Sequence, residues 1–221
     1  MLARSTVLIL GWALVTSSFA RRERLALCDL ALTVGPSAPT LCSGWAVSDL
    51  VAHLLVRERQ PWAAGGIVVP GLRRITQKAT DRLAARSFTA SVELLRKPAP
   101  PLRLPGLDAL MNSAEFFVHH EDVRRAQPSW TQRSLDADGE AVLWRSLAFI
   151  GRALVRPAGV PVVISDGARS TTLRGGDDPV IVTGPVGELT LFLFGRSAVE
   201  GLSFDGSREA VEALRGTALG L

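Results

Sequence analysis

One predicted helix, residues 107–126, carries a polar stripe where a packed helix normally presents apolar side chains. Its members are spaced alternately four and three residues apart and so share one helical face: Asp108, Asn112, Glu115, His119 and Asp122. A neighbouring stripe is apolar and supplies the contacts that a buried helix needs: Leu107, Met111, Ala114 and Val118. Because burying unpaired polar groups costs several kcal/mol, the polar stripe needs partners, and a divalent metal ion is the obvious candidate.

Three residues form the predicted metal-binding set. Glu115 and His119 lie one turn apart and can point to the same place. His53, on a second predicted helix over residues 47–59, lies at the edge of that helix's apolar arc and can also face inward. Two imidazoles and one carboxylate are the donor set of many catalytic zinc sites, which keep one position open. The same set resembles the non-haem iron triad, so the residues alone leave the metal open.

The residues beside the predicted ligands are given supporting roles. Asn112 and Asp122 are placed to accept hydrogen bonds and orient the ligands. His120 lies about 100° round the helix from His119 and is predicted not to bind the metal. Three charged residues are predicted to form an ion-pair network, with anion binding by either arginine as the alternative: Glu121, Arg124 and Arg125.

Composition limits the class of protein. The chain has 221 residues, 47% of them hydrophobic, which is enough for one large or two small domains. With 25 basic against 21 acidic residues it is only mildly cationic, so nucleic-acid binding is not expected. The basic excess between residues 71 and 103 is interpreted as a solvated helical face, with an anion site as the alternative.

The two cysteines, Cys28 and Cys42, are too few for a disulfide framework and favour a reducing, cytoplasmic compartment. Both are interpreted as small packed thiols, with a reactive role for Cys42 as the alternative. No pattern of paired cysteines in the sequence supports a structural zinc site.

The amino terminus allows two interpretations. Residues 1–20 contain an apolar run and a small-residue ending, as a weak signal peptide does, and export is therefore the alternative to a cytoplasmic location. The segment is too short for a confident membrane span and no other segment approaches that length, so no stable membrane association is expected. We favour the second interpretation, in which residues 1–17 are an extension upstream of the domain.

The hydrophobic pattern changes near Pro157. Before it, helices are predicted over 18–32, 47–59, 71–97 (one or two, the later starting at Ser87), 107–126 and 138–156. These fit an antiparallel bundle of four main helices over residues 18–156. After it, the order strand, strand, strand, helix, strand and a short terminal helix predicts a small α+β domain over 157–221, with runs at 160–164, 180–182, 184–196 and 199–204. The predicted fold class is α+β.

Three segments together resemble a known family: residues 39–45 (Pro-Thr-Leu-Cys-Ser-Gly-Trp), 49–54 (Asp-Leu-Val-Ala-His-Leu) and 115–126 (Glu-Phe-Phe-Val-His-His-Glu-Asp-Val-Arg-Arg-Ala). They are similar to an actinobacterial metal-binding family in the mycothiol-dependent maleylpyruvate isomerase group of the DinB-like superfamily. The resemblance covers about residues 18–206, including the carboxyl-terminal domain around 184–195. Residues 19–24 resemble the start of the family's domain, which favours the extension at residues 1–17.

The resemblance implies an up-down-down-up four-helix bundle in which His53, Glu115 and His119 hold a divalent metal, most often zinc. It also implies a mycothiol-dependent isomerase or transferase whose partners are a small-molecule thiol and an electrophilic substrate. In an isomerase the thiolate adds to a conjugated double bond, allows rotation and leaves; in a transferase it displaces a leaving group and remains attached. A homodimer is left open.

Two other functions stay open on the sequence. One is a non-catalytic metal- or ligand-binding protein whose carboxyl-terminal domain offers a lipid- or partner-binding surface. The other is a metal-dependent hydrolase with water at the open position. Its general base would be Asp49, Asp108 or Asp122, which the sequence does not rank.

Overall fold

The computed structural model describes residues 19–59, 87–98 and 107–220. The first part is helical: α1 (19–34), α2 (Val47–Arg59), α3 (Phe88–Arg96), α4 (Leu107–Arg125) and α5 (Ala137–Leu154), followed by a 3₁₀ turn at Arg156–Ala158. The rest mixes strands and helices: β1 (Val162–Ser165), β2 (Ser170–Arg174), β3 (Val180–Thr183), α6 (Val186–Leu193), β4 (Ser203–Asp205) and α7 (Arg208–Gly216). The predicted α+β fold class is confirmed.

The four strands form one sheet in the order β2-β1-β3-β4. The central pair β1 and β3 is parallel, and each outer strand pairs antiparallel with its neighbour. Alternate side chains of the central strands are buried, as expected for strands with one face on a core: Val162, Ile164, Val180 and Val182. The observed order of three strands, a helix and a strand agrees with the predicted order, although the sequence located only β1 and β3 of the first three strands.

The chain divides into two compact units, and the sheet unit contains the described residues 19–20, 107–118 and 131–220. Within it, α5 packs against α6 and β2. Gly151 permits close approach to the sheet, because a Cβ there would lie 2.7 Å from a side-chain carbon of Leu173. Asp136 caps α5 by accepting a hydrogen bond of 2.8 Å from the backbone N–H of Gly139. These contacts make α5 part of the sheet unit's core.

The helical unit contains the described residues 21–59, 87–98 and 119–130. Here α2 packs against α3. Buried aliphatic side chains recur at helical spacing on both helices: Val47, Leu50, Val51, Leu54 and Leu55 on α2, and Val92 and Leu95 on α3. Arg24 of α1 forms a bidentate ion pair with Glu58 of α2 and donates to the carbonyl oxygen of Leu95. This buried guanidinium therefore ties three helices together.

Element boundaries differ from the predictions in a few places. β4 is Ser203–Asp205 rather than 199–204, and Gly201 just before it has a φ of 69°, which an extended strand cannot adopt. β2 was not located in the sequence because Ser170, Thr171 and Thr172 give no apolar run. The domain boundary predicted at residue 157 coincides with the change from helix to strand and stays a prediction.

Some predictions fall outside the described residues. These are the extension at residues 1–17, most of the basic segment and the proline-rich connector before α4. None of the helices in the described ranges has the length and apolar character needed to cross a bilayer.

Candidate metal centre

The carboxyl-terminal half of α4 buries four consecutive polar side chains: His119, His120, Glu121 and Asp122. Buried charges and imidazoles are stable only when they are paired. In this helix each of the four has a partner within the helical unit. Of the polar stripe predicted from the sequence, His119 and Asp122 are therefore in the interior, whereas Asn112 and Glu115 are half-buried.

His53 and His119 lie together in the helical unit, and one nitrogen of each imidazole lies within 4.8 Å of the other. Glu115 lies one turn before His119 on α4. The His53 and His119 rings meet edge to face, with centroids 5.4 Å apart. His119 is buried, whereas His53 and Glu115 are only half-buried. Their role as metal ligands stays a prediction.

Asp122 orients His119. Its Oδ2 lies 2.9 Å from His119 Nδ1, and the carboxyl group is fully buried. In the tautomer in which Nδ1 donates this hydrogen bond, the lone pair of the imidazole is on Nε2, where it can bind a metal. The predicted contact between Asp122 and His119 is confirmed. Asn112 is half-buried on the same helix, and its supporting role stays a prediction.

His120 has a different partner. Its Nδ1 lies 2.9 Å from Glu23 Oε2 on α1, and both side chains are buried. It belongs to neither of the two donor clusters found among the described residues. This arrangement supports a structural role for His120, as the sequence predicted.

Glu121 forms ion pairs with Arg124 and Arg125, and these pairs lie within α4, whereas the sequence predicted a network between neighbouring helices. The fully buried carboxylate accepts hydrogen bonds from Arg124 at 2.9 and 2.7 Å and from Arg125 at 2.6 Å. Arg125 also stacks on Trp130, with its guanidinium carbon 4.6 Å from the ring centroid. These pairs join successive turns of α4 and stabilise the helix beside His119.

Sequence reasoning missed the position of Cys42. This residue lies in the Cys42 loop, residues 35–46, between α1 and α2. Its thiol donates to Asp122 Oδ2 at 3.2 Å, and its sulfur lies 4.0 Å from His119 Nδ1. Cys42, His119 and Asp122 form the second donor cluster of the described residues. A loop residue has no periodicity, so no sequence pattern indicates this contact.

Cys28 is the packed thiol that the sequence predicted. It is fully buried on α1, and its sulfur lies 3.8 Å from the carbonyl oxygen of Val92. Burial raises the pKa of the Cys28 thiol to about 11, against an opposing effect of Arg96 and Arg24.

Trp45 and Asp49 surround His53 on α2. The Trp45 ring is 38% exposed, and its centroid lies 5.0 Å from that of His53. Asp49 accepts a hydrogen bond of 2.9 Å from the backbone N–H of Ala46 and so caps the start of α2. Two of the three predicted general bases therefore have hydrogen-bond partners: Asp49 caps α2, and Asp122 contacts His119. The side chain of the third, Asp108, lies outside the described residues.

The sheet unit contains a separate cavity of about 300 Å³ near α6, β4 and α7. Its lining mixes apolar side chains with two arginines, a serine and a threonine: Phe192, Arg196, Ser197, Leu202, Phe204, Arg215, Thr217 and Leu219. The Arg215 guanidinium carbon lies 5.2 Å from the centroid of the Phe204 ring.

Comparison with known proteins identifies a fold likeness. The chain superposes on the crystal structure of the mycothiol-dependent maleylpyruvate isomerase with a TM-score of 0.57 and 17% identity, over 87% of this chain and 92% of that chain. A histidine-to-alanine mutant of such an isomerase gives a TM-score of 0.55 and 19% identity at the same coverage. No family model matches the sequence, and no curated protein matches it. The predicted resemblance to the maleylpyruvate isomerase group is confirmed as a likeness of fold.

Proposed function

We propose that this chain binds a divalent metal, with zinc the expected ion, and that it is a mycothiol-dependent isomerase or transferase acting on a small electrophile. His53, Glu115 and His119 would hold the metal. The observation that carries the proposal is the approach of His53 to His119, whose ring nitrogens lie within 4.8 Å of each other, with Glu115 one helical turn before His119. The fold likeness to a mycothiol-dependent isomerase supports a thiol as the second component.

The proposal also includes the arrangement of the helices and the cellular location of the protein. The main helices would form the DinB-like up-down-down-up four-helix bundle, followed by a small α+β domain from residue 157. A cytoplasmic location suits a protein that uses a reduced small thiol. A homodimer would be compatible with this function.

The residues present fit a zinc ion. Two imidazoles and one carboxylate are a donor set found in many catalytic zinc sites, and this set would leave a position open for a further ligand. The hydrogen bond from His119 to the buried Asp122 is the outer support that zinc-binding histidines ordinarily have. His53 and Glu115 are half-buried, so the side of the cluster that they form is open to a small molecule.

The chemistry divides between metal and protein. A bound zinc ion would lower the pKa of a coordinated thiol, so that the nucleophilic thiolate forms near neutral pH. Asp122 keeps the proton on Nδ1 of His119 and thereby directs Nε2 at the ion. The exposed Trp45 ring shields one side of His53 from water and fixes its orientation.

The hydrolase alternative finds less support. It needs a carboxylate placed to take a proton from water. Asp122 and Asp49 already accept hydrogen bonds from His119 and Ala46. Neither arrangement presents a base for this step.

The cavity near α6 favours a second candidate, a non-catalytic ligand-binding role. A lining that combines apolar side chains with Arg196 and Arg215, and has no carboxylate among its residues, suits a small amphipathic anion. Titration with a medium-chain carboxylate, compared with the matching alcohol, would test it. Tighter binding of the carboxylate that weakens in Arg215→Gln would support this role.

Metal stoichiometry tests the main proposal. Zinc content should be one ion per chain in the wild type and should fall to background in His53→Ala, Glu115→Ala and His119→Ala. His120→Ala is the matched control, because it removes an equally buried imidazole from the adjacent position and should retain the metal. Full occupancy in Glu115→Ala would show that the ligand set is wrong.

Thiol dependence tests the reaction. Cobalt-substituted protein should change its visible absorption when mycothiol is added, and zinc-loaded protein should consume maleylpyruvate only in the presence of mycothiol. One bound metal with neither response would reject the thiol function while leaving metal binding intact.

A further inference from the structure

The Cys42 loop is a fixed segment rather than a loose connection. Trp45 N–H donates to the carbonyl oxygen of Cys42 at 2.9 Å, which closes a tight turn. The loop is also attached to α4, because the backbone N–H of Leu41 donates to the carbonyl oxygen of Asp122 at 3.0 Å. Backbone hydrogen bonds of this kind hold the neighbouring Cys42 side chain against α4.

A chain of two hydrogen bonds connects this loop to His119. The Cys42 thiol donates to Asp122 Oδ2, and the same oxygen lies 2.9 Å from His119 Nδ1. Asp122 is fully buried, so its carboxylate is oriented by protein groups rather than by bulk water. The thiol therefore helps to orient the carboxylate, and the carboxylate orients His119.

The loop contacts the other histidine as well. Trp45, three residues after Cys42, packs its ring against His53. One short loop therefore contacts both imidazoles of the proposed metal site, through a hydrogen-bonded carboxylate on one side and an aromatic ring on the other.

We infer that Cys42 is a positioning residue for the metal, acting through Asp122 on His119. This inference rests on the metal site proposed above. The thiol supplies a hydrogen-bond donor and does not coordinate the ion. The second donor cluster, formed by Cys42, His119 and Asp122, is then a hydrogen-bonded group that supports the metal ligand His119. The distance of 2.9 Å between His119 and Asp122 is that of a hydrogen bond.

Zinc affinity of the full-length protein, measured by competition with a chelating dye, tests the inference. Cys42→Ala should weaken zinc binding by about 10- to 100-fold, the usual effect of losing an outer support of a metal ligand. Cys42→Ser keeps a donor and should restore most of the affinity. Cys28→Ala is the matched control: it removes the other thiol, which contacts Val92, and should bind zinc as the wild type does.

A double-mutant cycle tests the route through Asp122. If Cys42 acts through this carboxylate, Cys42→Ala should have little further effect on zinc affinity in an Asp122→Asn background. Equal effects in both backgrounds would overturn the proposed route. The ratio of affinities within each background also remains informative if either variant is less stable.

Cobalt spectra separate a supporting thiol from a coordinating one. We expect the cobalt-loaded wild type to lack a thiolate-to-cobalt charge-transfer band and the visible bands to shift in Cys42→Ala. A charge-transfer band that disappears in Cys42→Ser would make Cys42 a ligand and overturn the inference. Unchanged zinc affinity in Cys42→Ala, with binding still lost in His119→Ala, would refute this inference alone. Unchanged binding in His119→Ala would refute the proposed site itself.

Discussion

Cys28 offers a quantitative prediction, because burial raises the pKa of its thiol from 9.0 to about 11. In the unfolded chain the thiol loses its proton near pH 9, whereas in the folded protein it keeps the proton until about pH 11. Between these values the unfolded state binds fewer protons. The stability contributed by the neutral thiol is therefore complete below pH 9 and is lost as the pH rises towards 11.

The expected magnitude follows from the size of the shift. Each unit of pKa shift corresponds to about 1.4 kcal/mol, so a shift from 9.0 to about 11 corresponds to about 3 kcal/mol of unfolding free energy. The full burial of Cys28 keeps solvent from screening this effect. The chain has no tyrosine, so few other side chains titrate in this range.

Urea unfolding of the metal-free protein at several pH values between 9 and 11 would measure this loss. Cys28→Ala should be less stable below this range but should lose much less stability across it. Cys42→Ala retains Cys28 and should keep the loss. The thiolate absorbance, which tyrosinate does not obscure here, should show one thiol titrating late in the folded protein. An equal pH dependence in wild type and Cys28→Ala would refute the reasoning.

Two further predictions concern stability. Glu121→Gln should destabilise the protein by about 3 kcal/mol in urea unfolding, because it removes the carboxylate that pairs with the buried Arg125. Arg124→Gln should cost about 1 kcal/mol or less, because Arg124 is the partly exposed member of the network. Equal losses of stability in the two variants would contradict this prediction. Gly184→Ala should lower the melting temperature more than Gly151→Ala. The new Cβ at position 184 would lie 2.6 Å from a backbone carbonyl oxygen, whereas the new Cβ at position 151 would lie 2.7 Å from the flexible end of the Leu173 side chain. The reverse order of melting temperatures would show that the backbone near Gly184 can shift.

Sequence periodicity predicted much of this fold because the helices bury regular apolar faces. The bounds of α2 match the prediction, and α3 begins after Ser87, which caps it through a hydrogen bond to the N–H of Ala90. The same reasoning predicted the approach of His53 to His119, because polar residues at the edge of the apolar faces of two packed helices are brought close to each other. The roles of these residues stay predictions.

Tertiary contacts that lack a sequence period escaped prediction. The approach of Cys42 to Asp122 depends on the course of a loop, which backbone hydrogen bonds to α4 determine. β2 depends on pairing with β1 rather than on its own polar residues. The packing of α5 on the sheet likewise depends on the small size of Gly151, which a pattern of apolar residues does not reveal.

The adjacent His119 and His120 show how position on a helix separates two similar side chains. Both are buried, and each has Nδ1 at 2.9 Å from a carboxylate oxygen. Burial and a carboxylate partner therefore do not distinguish a metal ligand from a structural histidine. The difference is that a rotation of about 100° directs one ring to His53 and the other to Glu23. Because His119 lies against the imidazole of His53, whereas His120 lies against the carboxylate of Glu23, His119 is the histidine of this pair that has a second nitrogen donor beside it.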